Sequence, residues 1–398
     1  WYAHYNGTEC VYAENLSGTN AVIFAGCSLN VGPAAREESH GFLMSGTGTL
    51  NGRIHHNKIH LQDSCWAGRS ACCGVLVKGR VQIDSNILYE DQTFQGEGIA
   101  LYGSGKQHIF GNKLYMTSHN SRGILVDGNT DSCNIHNNIL YMDIEDAPPG
   151  GGESQSYGIR VRFGSDSNWI HHNTIEGTGG LANGIAIGGM EVTPRLAPKR
   201  NTIEYNNITS IYRCILIYDG TLDTTQFNNN SYTTSGSNSP VYCWVHVSEL
   251  KGIEFEADTF AYASDYAVTV NTYYGHASEP IIFRNCITID STDITGGTNF
   301  VDYIVIEGEE PPPPPPEYFH NTANFTILDT AYSASGDTVS CIVHANTWKH
   351  DLYLQAAIDT SGEIVNVDSA VGLVPGINDT LTCNFGTRFL RIFGKTTK

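Results

Sequence analysis

From residue 54 to residue 287 one six-residue phrase keeps returning: apolar-x-x-Asn-x-apolar. It reads Ile54-His55-His56-Asn57-Lys58-Ile59, then residues 83–88 around Asn86, 109–114 around Asn112 and 135–140 around Asn138. It recurs in residues 170–175 around Asn173 and 203–208 around Asn206. Weaker copies are residues 227–232 around Asn230, 255–260 with Asp258 in the Asn position, and 282–287 around Asn285. The period is about 28 residues. Between the copies lies a second phrase, a Gly followed by alternating apolar residues: Gly74-Val75-Leu76-Val77, Gly98-Ile99-Ala100-Leu101, Gly123-Ile124-Leu125-Val126, Gly158-Ile159-Arg160-Val161 and Gly184-Ile185-Ala186-Ile187. Residues 214–217 and 267–270 continue it.

Each phrase is a strand of four to six residues with period-two alternation, too short for an amphipathic helix. Short strands joined by turns can wind into the coil of a solenoid. A lone coil cannot bury its inward Ile, Leu and Val, whereas coils stacked at about 4.8 Å bury a continuous core. The repeated Asn is expected to adopt left-handed backbone geometry at a turn and to hydrogen-bond to the same Asn above and below.

These residues resemble the right-handed parallel β-helix proteins of the pectin-lyase-like superfamily, whose coils show the same Asn-x-Ile phrases. The resemblance covers roughly residues 20–310. It implies an all-β right-handed parallel β-helix, and it leaves the chemistry open, because lyases, hydrolases, epimerases, virus tailspikes, adhesins and inert rods share that scaffold.

The chain then changes character. Six consecutive prolines, Pro311 to Pro316, predict a stiff polyproline linker. Residues 317–398 read as six short alternating strands, which predicts a small immunoglobulin-like β-sandwich with Cys341 and Cys383 placed to staple its two sheets. Residues 1–19 are expected to form a cap on the first coil or a donor strand, with residues 20–310 as the β-helix.

Acidic residues number 41 against 22 basic, a formal charge of −19. Such a surface repels phosphate backbones and anionic lipid, so no nucleic acid and no membrane surface is expected as a partner. No apolar run approaches the roughly 18 residues of a spanning helix. The sequence opens at Trp1, as expected of a mature chain whose signal has been removed or of an incomplete one.

Eleven cysteines are scattered without a CxxC pair, which points to an oxidising, extracellular setting. The local pairs expected are Cys10 with Cys27, Cys65 with Cys72 or Cys73, and Cys341 with Cys383. Asn-x-Ser/Thr acceptors at Asn6, Asn15, Asn207, Asn229, Asn324 and Asn378 add a glycoprotein expectation.

Candidate chemistry is sparse, and no catalytic, cofactor or metal residue is assigned. His55, His56, His136, His171 and His172 lie within the Asn phrase, and His136, His171 and Glu204 share one position on consecutive coils. A straight ladder of this kind converges poorly on a metal and reads as an outer polar face. The acidic run Asp143-Ile144-Glu145-Asp146 is the place for calcium, by resemblance to pectate lyases, if any is bound. Asn129-Thr130-Asp131 matches one fragment of the polygalacturonase pattern, but no adjacent Asp pair follows. Arg160 and Arg162 alternate on what reads as an exposed strand face. Exposed Tyr and Trp can stack on sugars or form interfaces, and Trp1, Tyr2 and Tyr5 are candidates for assembly. The expectation is a non-enzymatic extracellular filament subunit that polymerises head to tail, with the N-terminal strand donated to a neighbour's sandwich. The alternatives are a carbohydrate-binding adhesin or tailspike, and a polysaccharide lyase or hydrolase.

Overall fold

The computed structural model describes the strands and short turns of residues 3–306 and the strand backbones of residues 325–396. Longer connections, among them residues 14–21, 32–38, 63–71, 145–154, 189–196 and 307–324, lie outside the described residues. The chain divides into two compact units, Trp1–Pro311 and Pro312–Lys398.

The first unit is an all-β parallel solenoid of the right-handed type. Each coil adds one strand to each of three sheets. Sheet 1 holds twelve strands and includes Ser39–Ser45, Cys72–Lys78, Gly96–Tyr102, Arg122–Asp127, Ser156–Val161, Ala182–Ile187, Arg213–Tyr218 and Val241–Val245 in spatial order. Sheet 2 runs from Val22–Ala25 through Gly52–His55, Val81–Asp84, His108–Phe110, Asn134–His136 and Trp169–His171 to Tyr303–Ile306. Sheet 3 holds nine strands, Ser28–Val31 to Thr259–Tyr262. The two apolar ends of each Asn phrase face the same interior from sheets 2 and 3. Ile54, Ile59, Ile83, Ile109, Leu114, Ile135 and Leu140 are each fully buried. Each such side chain stabilises the stack by roughly 1.5–3 kcal/mol.

The Asn residues form one continuous buried column: Asn57, Asn86, Asn112, Asn138, Asn173, Asn206 and Asn230, ending on Asp258. From Asn86 onward every Oδ1 accepts both the Nδ2 and the backbone N–H of the preceding coil's Asn, as Asn112 Oδ1 does from Asn86 at 2.9 and 3.0 Å. The left-handed geometry falls one residue earlier than the sequence predicts. His56, Ser85, Gly111, Asn137, His172, Tyr205, Asn229, Ala257 and Asn285 all have φ between 52° and 63°. That bend turns the chain from sheet 2 to sheet 3 and leaves the next side chain, the ladder Asn, pointing along the stack. Asn285 therefore occupies the bend, and Cys286 stands in the ladder position of that coil. At the other end Cys27 follows Gly26 (φ 67°) and donates its backbone N–H to Asn57 Oδ1.

Glycine is required where sheet 1 strands enter the core. A Cβ on Gly98 would lie 2.5 Å from the Gly123 carbonyl oxygen and 2.5 Å from Leu114 Cδ2. Strand pairing passes over the glycine, from Glu97–Arg122 directly to Ile99–Ile124.

Two expectations about the ends require correction. Gly7–Ala13 pairs in parallel with Ser39–Ser45, so this segment is already a strand of its own solenoid and is not free for donation. Trp1, Tyr2 and Tyr5 lie outside the described residues. In the second unit the six expected strands are present. Phe325–Tyr332, Thr338–Ala345 and Asn378–Asn384 form one antiparallel sheet, and Ile364–Ala370, His350–Ala357 and Phe389–Thr396 form another. Cys341 pairs with Leu381 and Cys383 with Val339 on neighbouring strands of one sheet, so these cysteines are not placed to join the two sheets. The immunoglobulin-like packing itself concerns side chains outside the described residues.

The cysteine pairing also departs from expectation. Cys27, Cys133, Cys214, Cys243 and Cys286 are free thiols. Cys27 is held in the ladder position, and the Cys73 thiol donates to Glu97 Oε2 at 3.2 Å. The pairing of Cys27 with Cys10 is therefore not made. Cys65 and the side chains of Cys10 and Cys72 lie outside the described residues, and with them the expected pairing of Cys65 with Cys72 or Cys73. Burial pushes the Cys133, Cys243 and Cys286 thiols up to about 12, which makes them inert. Among the described residues no helix is long and apolar enough to cross a membrane.

Candidate functional site

The outward face of sheet 1 is where polar chemistry collects. The residue before each glycine, and Arg213 before Cys214, projects outward, and parallel register stacks these residues in one column: Cys73, Glu97, Arg122, Tyr157, Asn183 and Arg213. A second column runs Leu125, Arg160, Ala186, Leu216 and Tyr242, and a third includes Tyr102, Asp127, Tyr218 and Trp244. Outward-facing strand residues are ordinarily wet. Here Glu97, Arg122, Tyr157, Arg160, Asn183, Arg213 and Tyr218 are all at most 9% exposed, while Tyr102, Arg162, Tyr242 and Trp244 form a half-buried rim. Arg160 and Arg162 thus stand at a shielded site, not on the exposed face their alternation predicts.

The cations in this face are of two kinds. Arg122 Nη1 meets Glu97 Oε1 at 2.6 Å, and Arg162 donates from Nε and Nη2 to Asp127 Oδ2 at 2.9 and 2.8 Å. Arg160 and Arg213 face rings instead. Arg160 lies 4.6 Å from the Tyr157 ring centre and 5.8 Å from that of Tyr218. Arg213 lies 3.9 Å from Tyr242 and 4.2 Å from Tyr212. Ring faces attract a cation but accept few directed hydrogen bonds. Arg160 Nε, Arg213 Nε and Nη1, Arg122 Nε, Trp244 Nε1 and Asn183 Oδ1 are buried with no hydrogen-bond partner. Each such group costs about 1–3 kcal/mol unless something satisfies it.

Beside Arg160 the phenols of Tyr157 and Tyr218 approach to 2.7 Å across the small side chain of Ala186. Tyr218 donates to Gln155 Oε1 at 3.2 Å, so Tyr157 is the donor to Tyr218. Burial, reinforced by Tyr157, holds the Tyr218 phenol above its ordinary range and keeps it protonated. Burial likewise lowers Arg160, with Arg122 and Arg162 acting in the same direction. The arrangement suits an anionic group that reaches the unpaired guanidinium N–H groups in a poorly hydrated space, where charge-assisted bonds are strongest.

The other two faces differ. On sheet 3, Tyr89, Tyr115 and Tyr141 stack at 5.0 and 4.8 Å. Tyr115 and Tyr141 border a hollow of about 310 Å³ with Asp143, Glu176 and Thr178. Both broad faces of Tyr115 are covered by its neighbours, and Lys58 Nζ stands 5.3 Å over the Tyr89 ring, so of the three rings Tyr141 keeps an outer face toward the hollow. Asp143 accepts from Thr178 Oγ1 at 2.7 Å, and the rest of the acidic run, Glu145 onward, lies outside the described residues. On sheet 2, His136, His171 and Glu204 are in register as the sequence predicts. Asn129 sits at φ 60° and Asp131 accepts the Asp166 backbone N–H, so that fragment shapes a turn. Asn207 and Asn229 are exposed, Asn6, Asn15 and Asn324 lie outside the described residues, and only the backbone of Asn378 is described.

Sequence reasoning missed the arginine–tyrosine face because its residue types change at every coil. A signal was present: the position before each repeated glycine reads His40, Cys73, Glu97, Arg122, Tyr157, Asn183, a run rich in chemistry.

No protein-family profile matches the chain, and neither does any curated protein. Among solved structures the chain is similar to a tailspike protein of E. coli bacteriophage HK620 in complex with a pentasaccharide, at 10% identity and a TM-score of 0.34, over 91% of this chain and 81% of that one. It is also similar to the Dettilon tailspike protein, at 11% identity and a TM-score of 0.34, over 91% and 86% of the two chains. A third is a tailspike protein of Acinetobacter baumannii bacteriophage Fri1, a capsular polysaccharide depolymerase, at 10% identity and a TM-score of 0.30, over 99% and 84%. At this level of similarity the matches carry nothing about the ligand or chemistry of this chain.

Proposed function

We propose that the chain is a carbohydrate-binding solenoid that acts outside the cell and holds an acidic glycan against the outward face of sheet 1. The observation that carries this reading is the set of buried, unpartnered guanidinium N–H groups on Arg160 and Arg213, framed by Tyr157, Tyr218, Tyr242 and Trp244. A carboxylate or sulfate on a sugar satisfies those donors, and the aromatic rim covers the ring that bears it. The chain's charge of −19 makes a concentrated cationic patch selective. Acidic polymers are repelled elsewhere and captured at this face.

The test is calorimetry of the full chain against polygalacturonate, heparin and neutral dextran. The acidic polymers bind, dextran does not, and Arg160→Gln weakens binding at least about tenfold, the loss of one charge-assisted bond. Equal binding of dextran, or an Arg160→Gln variant that binds as before, overturns the reading.

Cleavage of the bound glycan is a second reading, favoured by the Tyr157–Tyr218 hydroxyl pair beside Arg160. A protonated phenol next to a guanidinium can give its proton to a departing glycosidic oxygen while a water adds to the anomeric carbon and returns a proton to the phenolate. Release of new chain ends by the native chain, abolished in Tyr218→Phe, supports it. Intact polymer after prolonged incubation rejects cleavage and leaves binding standing.

A further inference from the structure

We propose that His55, His56 and Asp84 form a divalent transition-metal site on the outward face of sheet 2, independent of the glycan face. Gly52–His55 is followed directly by His56, whose φ of 55° folds its ring back toward that of His55. In consequence the Nδ1 atoms of His55 and His56 lie 2.8 Å apart with their rings at 82°. For metal–nitrogen bonds of about 2.0 Å, two ligands at a right angle stand about 2.8 Å apart, whereas a tetrahedral pair stands about 3.3 Å apart. The histidine pair therefore matches neighbouring positions of a tetragonal or octahedral ion.

The third ligand comes from the coil above. Asp84 is the register partner of His55, and one ligand atom from each of the three residues falls within a 4.8 Å cluster. The carboxylate is held in place by its neighbours. Arg53 donates to it from Nε and Nη2 at 2.7 and 2.8 Å, and Gln82 donates to Oδ1 at 3.0 Å. Supports of this kind fix a ligating carboxylate in place. Besides Arg53, the contact on Oδ2 among the described residues is a long 3.3 Å one from Ser85 Oγ, which a metal can displace. His56 is exposed and His55 half-buried, so water completes the coordination.

The molecule contains its own comparison. His171 and His172 repeat the same dipeptide geometry, with Nδ1 atoms 2.8 Å apart and rings at 83°. There the carboxylate in register, Glu204, accepts the Trp169 indole N–H at 2.6 Å, and His171 Nε2 is bonded to Asn134 Oδ1. Among the described residues three metal-ligating groups converge at His55, His56 and Asp84 alone. Nitrogen ligands at right angles with one carboxylate favour Cu²⁺, then Ni²⁺.

The test is titration of the tag-free full chain with Cu²⁺, followed by calorimetry and electron paramagnetic resonance. One Cu²⁺ binds per chain with a tetragonal spectrum split by two nitrogens. His56→Asn, which suits the left-handed bend and keeps the fold, weakens binding at least about tenfold, and His172→Asn leaves it unchanged. Unaltered binding in His56→Asn, loss in His172→Asn, or a spectrum without two nitrogens overturns the site.

Discussion

Asn230 passes the last amide bond of its column to a carboxylate: its Nδ2 donates to Asp258 Oδ1 at 2.9 Å, and its backbone N–H donates to the same oxygen at 2.6 Å. An amide and a carboxylate serve equally as acceptors there, but only the carboxylate can ionise. Asp258 is fully buried, and burial pushes it up to about 8 against the lowering effect of the Asn230 bonds.

A carboxyl whose native pKa lies above its unfolded value favours the folded state most when protonated. Its contribution is complete below about pH 4 and is lost as pH rises toward 8. Asp258→Asn keeps the acceptor and removes the titration. Thermal unfolding at pH 5 and pH 8.5 checks this: the variant gains at least about 2–4 °C over the native chain at the higher pH and little at the lower. Equal shifts at both values refute it.

The histidine column has the opposite sign. Burial, with neighbouring imidazoles adding to it, lowers His136 to about 4 and His171 to about 3. His108 Nε2 and His136 Nε2 stand 2.6 Å apart, a contact that requires one unprotonated nitrogen. Stability is therefore complete above about pH 6.5 and falls as pH drops toward 4. Replacing His136 by Gln flattens that limb of the unfolding-midpoint curve. A curve unchanged between pH 6.5 and 4 counts against the assignment.

Two glycines separate steric from conformational cost. A Cβ on Gly184 meets Ile208 Cγ2 at 2.3 Å and the Cys214 carbonyl oxygen at 2.4 Å, so Gly184→Ala overpacks the core by about 1–3 kcal/mol. Gly26 has φ 67° and nothing within 4 Å, so Gly26→Ala costs only the left-handed backbone penalty of about 1 kcal/mol. Urea midpoints of the two variants should rank in that order.

Arginines on the same face should respond differently to truncation. Arg122 is paired with Glu97 in a buried setting, and breaking that pair by Arg122→Met costs about 3–5 kcal/mol. Arg213 has no carboxylate partner among the described residues and carries two unsatisfied nitrogens, so Arg213→Met leaves stability unchanged or raises it while glycan binding falls. Denaturant unfolding and polygalacturonate calorimetry on both variants test the contrast.

Within the column, Asn138 Oδ1 receives two N–H groups from Asn112, and its own Nδ2 reaches Ile109 O and Asn173 Oδ1. Asn138→Ala orphans several buried groups at once and costs about 2–5 kcal/mol, measured as a loss of urea stability.

The coils were readable in the chain because one physical demand, an amide in the same slot on every turn, writes the same letter each time. Its neighbour, the bend residue, is His, Ser, Gly, Asn, Tyr or Ala, and that variety hid where the left-handed geometry falls. Cys27 and Cys286 occupy ladder slots and were read as disulfide material and as the neighbour of an Asn slot, since a thiol there interrupts the letter. The arginine–tyrosine face was harder still. Arg122, Arg160 and Arg213 are 38 and 53 residues apart in sequence, and only parallel register brings them to one surface. Alternation alone put Arg160 in water, because burial of an outward face depends on what lies over it and not on the strand's own period.

The amide column binds each turn to the next through atoms that are the same on every turn. A whole turn cut out between two of these asparagines, or copied and inserted there, leaves donors and acceptors that match across the seam. Length is thus a modular property of this molecule: evolution or an engineer can add or remove floors and carry a new set of outward residues on each, without redrawing the staircase.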